Sequence, residues 1–190
     1  MSEADPADYL HDEGVRLFLA WQNGDERSFA RLYALWKVRL LCSLTHMTRD
    51  RAWAEEVFQE TWMTVIQHRK SYEPRARFGT WLFSIARSRM IDSARKAGRR
   101  APTITLTETH YEIADEVEDT FDLALVNQYL AAFKRCLPTL PDEQREAFVL
   151  RTQQDMEWSE IAVVTQSSAE AARSRFRYAT AKLKNCMGLA

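Results

Sequence analysis

The chain has 190 residues, 46% of them hydrophobic, with 26 Lys and Arg against 27 Asp and Glu for a formal net charge of −1. That balance excludes wholesale disorder and a membrane-embedded protein, and the length suits one medium domain or two small ones. Three scattered cysteines, four isolated histidines and five glycines offer no zinc spacing, phosphate-cradling loop or local catalytic group, so no metal, no cofactor and no enzymatic activity are expected.

Met1 to Gly14 is acidic and lacks the basic and apolar segments of a secretory signal. No apolar run reaches the roughly 18 residues of a membrane span. A cytoplasmic location without membrane insertion is therefore expected. Cys42, Cys136 and Cys186 read as small, buried, reduced thiols.

The first predicted helix starts near Asp25, with Phe29, Leu32, Tyr33, Trp36 and Leu40 at three- and four-residue steps. After a polar break at Thr48-Arg49-Asp50, a second helix carries Ala54, Val57, Phe58, Thr61, Trp62, Val65 and Ile66 on one stripe. Glu55, Glu56, Gln59 and Glu60 lie mostly on the other side. Pro74 interrupts the pattern and predicts a loop from Arg69 to Arg77. A third helix, roughly Gly79 to Ala97, buries Trp81, Leu82, Ile85 and Ala86; the setting of Trp81 favours a core position over a stacking platform.

Charge reverses next. From His68 to Arg100 stand ten Lys and Arg against two acids, with Tyr72, Phe78, Trp81 and Phe83 among them. From Ala101 to Asp122 there is no Lys or Arg and there are seven acids. A polyanion-binding face thus adjoins a segment that repels polyanions. Lacking periodicity and rich in charge, residues 101–122 read as an extended, flexible linker.

Helical spacing resumes with Leu123, Val126, Leu130, Phe133 and Leu137, and another helix opens at Pro141 with Asp142 and Glu143 in its first turn. Trp158 to Val164 reads as a short helix, Thr165-Gln166-Ser167 as a turn, and Ser168 as the N-cap of a helix reaching about Cys186. On that last helix Ala172, Phe176, Ala179 and Leu183 share the core face. Ser174, Arg177 and Tyr178 face outward, flanked by Arg173 and Lys182. Such a face suits a recognition helix in a major groove, and equally a solvated surface. The fold class expected is all-α: two small helical domains, 12–100 and 123–187, joined by the acidic linker.

These residues resemble the extracytoplasmic-function sigma factors of bacterial RNA polymerase, a branch of the sigma-70 superfamily. Sigma region 2 is suggested by Ser28-Phe29-Ala30-Arg31-Leu32-Tyr33, Ala54 to Thr61, and Phe78 to Arg87 with Asp92 and Arg95 beyond. Region 4 is suggested by Leu140-Pro141, Arg145, Phe148, Leu150-Arg151, Glu160-Ile161-Ala162 and Arg173-Ser174-Arg175. The resemblance implies that Glu55, Glu56, Gln59 and Glu60 meet core RNA polymerase. It implies that the basic stretch opens promoter DNA at the minus-10 element through Arg69, Tyr72, Arg75, Arg77, Phe78, Arg87, Ser88, Arg89 and Arg95. For the minus-35 element it implies Arg173, Ser174, Arg175, Arg177, Tyr178 and Lys182. The family also implies control by an anti-sigma factor, and a linker that threads toward the polymerase channels.

Several positions depart from the family pattern. Trp53 replaces a frequent Asp, which suggests a partly apolar polymerase contact, and Ser88 replaces a frequent Asn. Gln166 stands at a turn position usually held by Gly, and the last helix is less cationic than usual. A helix-turn-helix regulator that never joins polymerase, and an adaptor that kept the fold without promoter melting, remain the competing readings.

Overall fold

The computed structural model describes residues 9–96, 98 and 120–189. These form eight α-helices and one 3-10 turn: α1 Glu13–Gln22, α2 Glu26–Thr48, α3 Arg51–Gln67, α4 Phe78–Lys96, α5 Thr120–Cys136, the turn Leu137–Thr139, α6 Asp142–Gln153, α7 Trp158–Thr165 and α8 Ala169–Met187. There is no strand among the described residues. Most of the expected linker, 101–119, lies outside the described residues, and its last three positions already belong to α5.

Local chemistry starts and stops these helices. Asp12, Asp25, Asp50 and Ser168 cap α1, α2, α3 and α8, each side chain accepting a main-chain N–H of the first turn. Helix α1, absent from the sequence-based reading, buries Val15, Leu17, Phe18 and Trp21. Two glycines let helices touch: a Cβ on Gly14 would stand 2.6 Å from the Cβ of Phe78, and one on Gly79 would stand 2.5 Å from the indole of Trp36.

Helices α1 to α4 bury Phe18, Leu32, Leu40, Leu44, Val57, Val65, Phe78, Leu82 and Phe83. The expected stripe of α3 holds except at Ile66, which is exposed. Beyond the linker, Leu137, Leu140, Ala179 and Leu183 form a second small core with Phe133, Phe148 and Met187 around it.

The two halves also pack on each other, α6 against α2 and α7 against α4. Ala147, Val149, Leu150, Ile161 and Val164 join the larger apolar cluster of the N-terminal half. Polar contacts rim that seam: Ser43 to Gln153 at 3.1 Å, Gln154 to Ser43 at 2.8 Å, Arg49 to Asp142 at 2.8 Å and Arg87 to Glu146 at 2.8 Å.

The cysteine expectation is corrected. Cys136 and Cys186, 50 residues apart, are joined as a disulfide between the end of α5 and the end of α8, and Cys186 is exposed. Only Cys42 is a free thiol, half-buried, with burial pushing its pKa up. Sequence spacing could not reveal the pairing, since the two helix ends meet only through the packing of α5 on α8.

Candidate functional site

Helix α3 presents Glu55, Glu56 and Gln59 to solvent. Glu55 pairs with Arg51 one turn back at 2.9 Å. Glu56 accepts from the Ser93 hydroxyl at 3.4 Å, and that hydroxyl receives the Trp53 indole N–H at 3.0 Å. Trp53 is therefore buried, 6% exposed, and offers no apolar surface to a partner. Glu60 is half-buried, with one carboxylate oxygen enclosed and without a hydrogen bond among the described residues. The exposed acids make a short negative row able to form charge-assisted bonds to arginines.

The basic candidates of the N-terminal half separate into two groups. Arg69 donates to the main-chain oxygen of Trp21 at 2.6 and 3.1 Å, pairs with Glu26 at 2.6 Å and lies 4.7 Å over the Trp21 ring. It clamps the loop onto α1 and is not presented to a phosphate. Phe78 is fully buried among Phe18, Trp36 and Trp81. As a core residue it has no face left for a base. Both assignments to minus-10 DNA are corrected on these grounds.

The other candidates surround an opening. The loop 68–77 and the start of α4 line a cavity of about 310 Å³ with Ser71, Tyr72, Arg75, Trp81 and Ser84, at the lower end of the range for ligand pockets. Tyr72 is 5% exposed and packed 4.1 Å from Phe18 and 4.7 Å from Trp81. Its hydroxyl is buried without a hydrogen bond among the described residues, and burial drives its pKa up. Arg75, on the cavity's lining, and Arg77, two residues on, stand exposed. Farther along α4, Ser88 and Arg95 are exposed, and Arg89 lies 3.8 Å from Asp92. Arg87 is mostly covered, bonded to Glu146 of α6.

Helices α7 and α8 form the expected helix-turn-helix. Glu157 and Glu160 close a capping box at the start of α7. Gln166 adopts φ +52°, ψ +48°, so the turn keeps its left-handed shape although the residue is not Gly. Arg173, Arg177, Tyr178 and Lys182 are exposed along α8, while Ser174 is half-buried. The Arg177 guanidinium lies 5.3 Å from the Tyr178 ring. Arg175, half-buried, instead pairs with Glu143 of α6 at 2.8 Å. It braces α8, and its assignment to a phosphate is corrected.

Arg145, Thr80 and Glu160 entered the sequence pattern only as motif letters, and Glu146 did not enter it. Arg145 is 2% exposed. A helical wheel could have flagged it, because Arg145 precedes Phe148 and Val149 by three and four positions on a face that is buried. The partners of Glu146 and Glu160 lie 59 and 80 residues away and leave no local signal.

Residues 32–100 match the Sigma-70 region 2 family and residues 130–183 match the Sigma-70, region 4 family. The chain is 30% identical over 168 residues to the RNA polymerase sigma factor CarQ of Myxococcus xanthus, covering 88% of this chain and 94% of that one. Among solved structures, CnrH in complex with the cytosolic domain of CnrY superposes with a TM-score of 0.63 at 25% identity, covering 94% of this chain and 99% of that one. The sigma factor RpoE in complex with the anti-sigma factor NepR from Bartonella quintana shares the fold with a TM-score of 0.70 at 22% identity, covering 85% and 98%.

Proposed function

Because this chain belongs to the extracytoplasmic-function sigma factors of the sigma-70 family, we propose that it binds core RNA polymerase through α3 and directs initiation at promoters read by α4 and α8. The observation that carries this reading is the combination of both sigma regions in family order on one chain. A helix-turn-helix regulator would need only the second.

The acidic pair Glu55 and Glu56, with Gln59 beside it and Glu60 at its inner edge, is the polymerase-binding surface. The cavity lined by Tyr72, Arg75 and Trp81 receives an unpaired base of the opened minus-10 strand. Opening the duplex costs unstacking energy, which a pocket for the base and cations on the phosphates offset. Arg75, Arg77, Arg87, Ser88, Arg89 and Arg95 supply polar and cationic contacts along the strand. On α8, Arg173, Ser174 and Tyr178 address base edges of the minus-35 element, and Arg177 and Lys182 hold phosphates. The protein works in the cytoplasm with its polymerase, and an anti-sigma factor silences it by covering these surfaces.

Mixing the purified protein with core polymerase and a library of promoter fragments tests the reading. Promoter-specific transcripts that vanish with Glu56→Arg support it. Absence of any complex with core, for wild type and variant alike, returns the chain to the regulator class.

A further inference from the structure

The cavity beside Trp81 has hydrogen-bond acceptors along its wall, and the first of them is a residue not yet given a role. His68, just past the end of α3, lines the cavity. Its Nδ1 lies 2.8 Å from the main-chain oxygen of Thr64, one turn back. A carbonyl can only accept, so Nδ1 carries the ring proton and, in the neutral ring, Nε2 is left as an acceptor. Nε2 has no hydrogen bond among the described residues. The ring also stands at 78° to the Trp81 indole, with centroids 6.2 Å apart, so it is held from two sides.

Neighbouring polar groups of the lining have the same character. Ser84 donates its hydroxyl proton to the Thr80 carbonyl at 2.8 Å, and Thr80 donates its own to Glu160 at 2.8 Å. Each hydroxyl has one proton, so both oxygens keep lone pairs and have nothing left to donate. Glu73, also on the lining, is a carboxylate that accepts from Arg75 at 2.8 Å. Arg75 stands among these acceptors as a donor, suited to a base oxygen or to the phosphate that carries the base.

We infer that the cavity selects a base bearing an exocyclic amino group and rejects thymine, with Nε2 of His68 as the specificity-determining acceptor. The inference rests on the proposed reading of this cavity as the seat of an unpaired minus-10 base. Adenine, cytosine and guanine each carry an amino group that can donate to Nε2. Thymine donates only through its ring N3–H, which lies between two carbonyl oxygens, and those oxygens meet lone pairs on the wall. An acceptor left facing an oxygen forfeits its bond and stays desolvated, which discriminates more sharply than the bond alone.

Selection by the polymerase-bound protein from promoter fragments randomised across the minus-10 element tests this. One position is expected to be depleted of thymine. Removing the amino group alone at that position, by uracil for cytosine, unsubstituted purine for adenine or hypoxanthine for guanine, should reduce open-complex formation about tenfold, as the loss of one hydrogen bond would. His68→Phe keeps a ring beside Trp81 without the acceptor, and should erase both effects at that position while leaving the others unchanged. His68→Gln, which returns an acceptor, should retain part of the discrimination. Thymine taken on equal terms at every position, or a depletion that His68→Phe leaves in place, overturns the inference. Filling the cavity from its exposed Ser71, with Ser71→Trp, tells that failure from failure of the minus-10 reading. Loss of open complexes keeps the reading, whereas open complexes and base preferences that both stay unchanged remove it together with the inference.

Discussion

Arg145 of α6 donates to the main-chain carbonyl of Met47 through two nitrogens, at 2.8 and 3.2 Å. That carbonyl belongs to the last turn of α2, where helix oxygens lack partners of their own and carry the negative end of the helix dipole. The same guanidinium reaches the Leu140 carbonyl at 2.7 Å and Asp142 at 2.6 Å. Burial lowers the Arg145 pKa and the bond to Asp142 opposes that shift. One side chain from the region 4 half thus completes a helix of the region 2 half.

Replacing Arg145 with Met is expected to destabilise the protein by about 3 kcal/mol, because buried carbonyls and a carboxylate lose their donor. Urea unfolding monitored by circular dichroism would measure the loss. A change within the noise would mean that the two halves unfold without reference to this contact.

Gln166 holds a left-handed conformation at φ +52°, which costs a non-glycine residue about 1 to 2 kcal/mol. Gln166→Gly should therefore raise the melting temperature, although glycine also gives the unfolded chain more freedom, which trims the net gain to about 1 kcal/mol or less. Thermal unfolding of the two proteins side by side decides it.

The Cys136 to Cys186 bond closes a loop of 50 residues that contains the helix-turn-helix. Its reduction, or the Cys136→Ser change, is expected to cost about 2 to 4 kcal/mol in the C-terminal half. Melting curves with and without reductant should differ for wild type and coincide for the variant.

His46 is half-buried at the seam, where its Nδ1 lies 2.6 Å from the Gln153 amide. Burial holds its pKa below the ordinary 6.5; the Gln153 bond opposes that shift and Lys134 adds to it. The folded state binds fewer protons than the unfolded one, so the stability tied to neutral His46 is complete above about pH 6.5 and is lost as pH falls through the lowered folded value. The stability of wild type relative to His46→Asn should fall as the pH is lowered below about 6.5. Comparing the pair cancels the opposite trend expected of Glu146, whose raised pKa is common to both proteins.

On α8, Arg177→Ala and Lys182→Ala should weaken duplex binding uniformly, each reducing the salt dependence by about one phosphate contact. Arg173→Ala should instead relax base preference, at about 1 to 3 kcal/mol for the preferred site. Selection from a randomised duplex pool with the polymerase-bound protein, followed by salt titration, separates the two effects.

Helix periods, helix starts and the helix-turn-helix were legible in the chain because they depend on neighbours three or four residues apart. Asp25, Asp50 and Ser168 cap the helices that their positions predict. The acidic row of α3 and the outward cations of α8 were legible for the same reason: a polar stripe opposite an apolar one faces water. Helix α1 carries the same kind of signal in the three-residue steps Val15, Phe18 and Trp21, which it buries.

The sequence by itself determined the all-α class, the order of the helices and the stripe each one buries. Only the tertiary structure decided which charged and aromatic side chains are spent holding the fold. Arg69 goes to the Trp21 carbonyl, Arg175 to Glu143, Phe78 to the core, Trp53 to Ser93 and Cys136 to Cys186. It also decided that Glu146 meets Arg87, and Glu160 meets Thr80, on α4. The physical reason is one of range: periodicity is a local property of the backbone, whereas these partners stand between 32 and 80 residues apart, too far for any local pattern to specify.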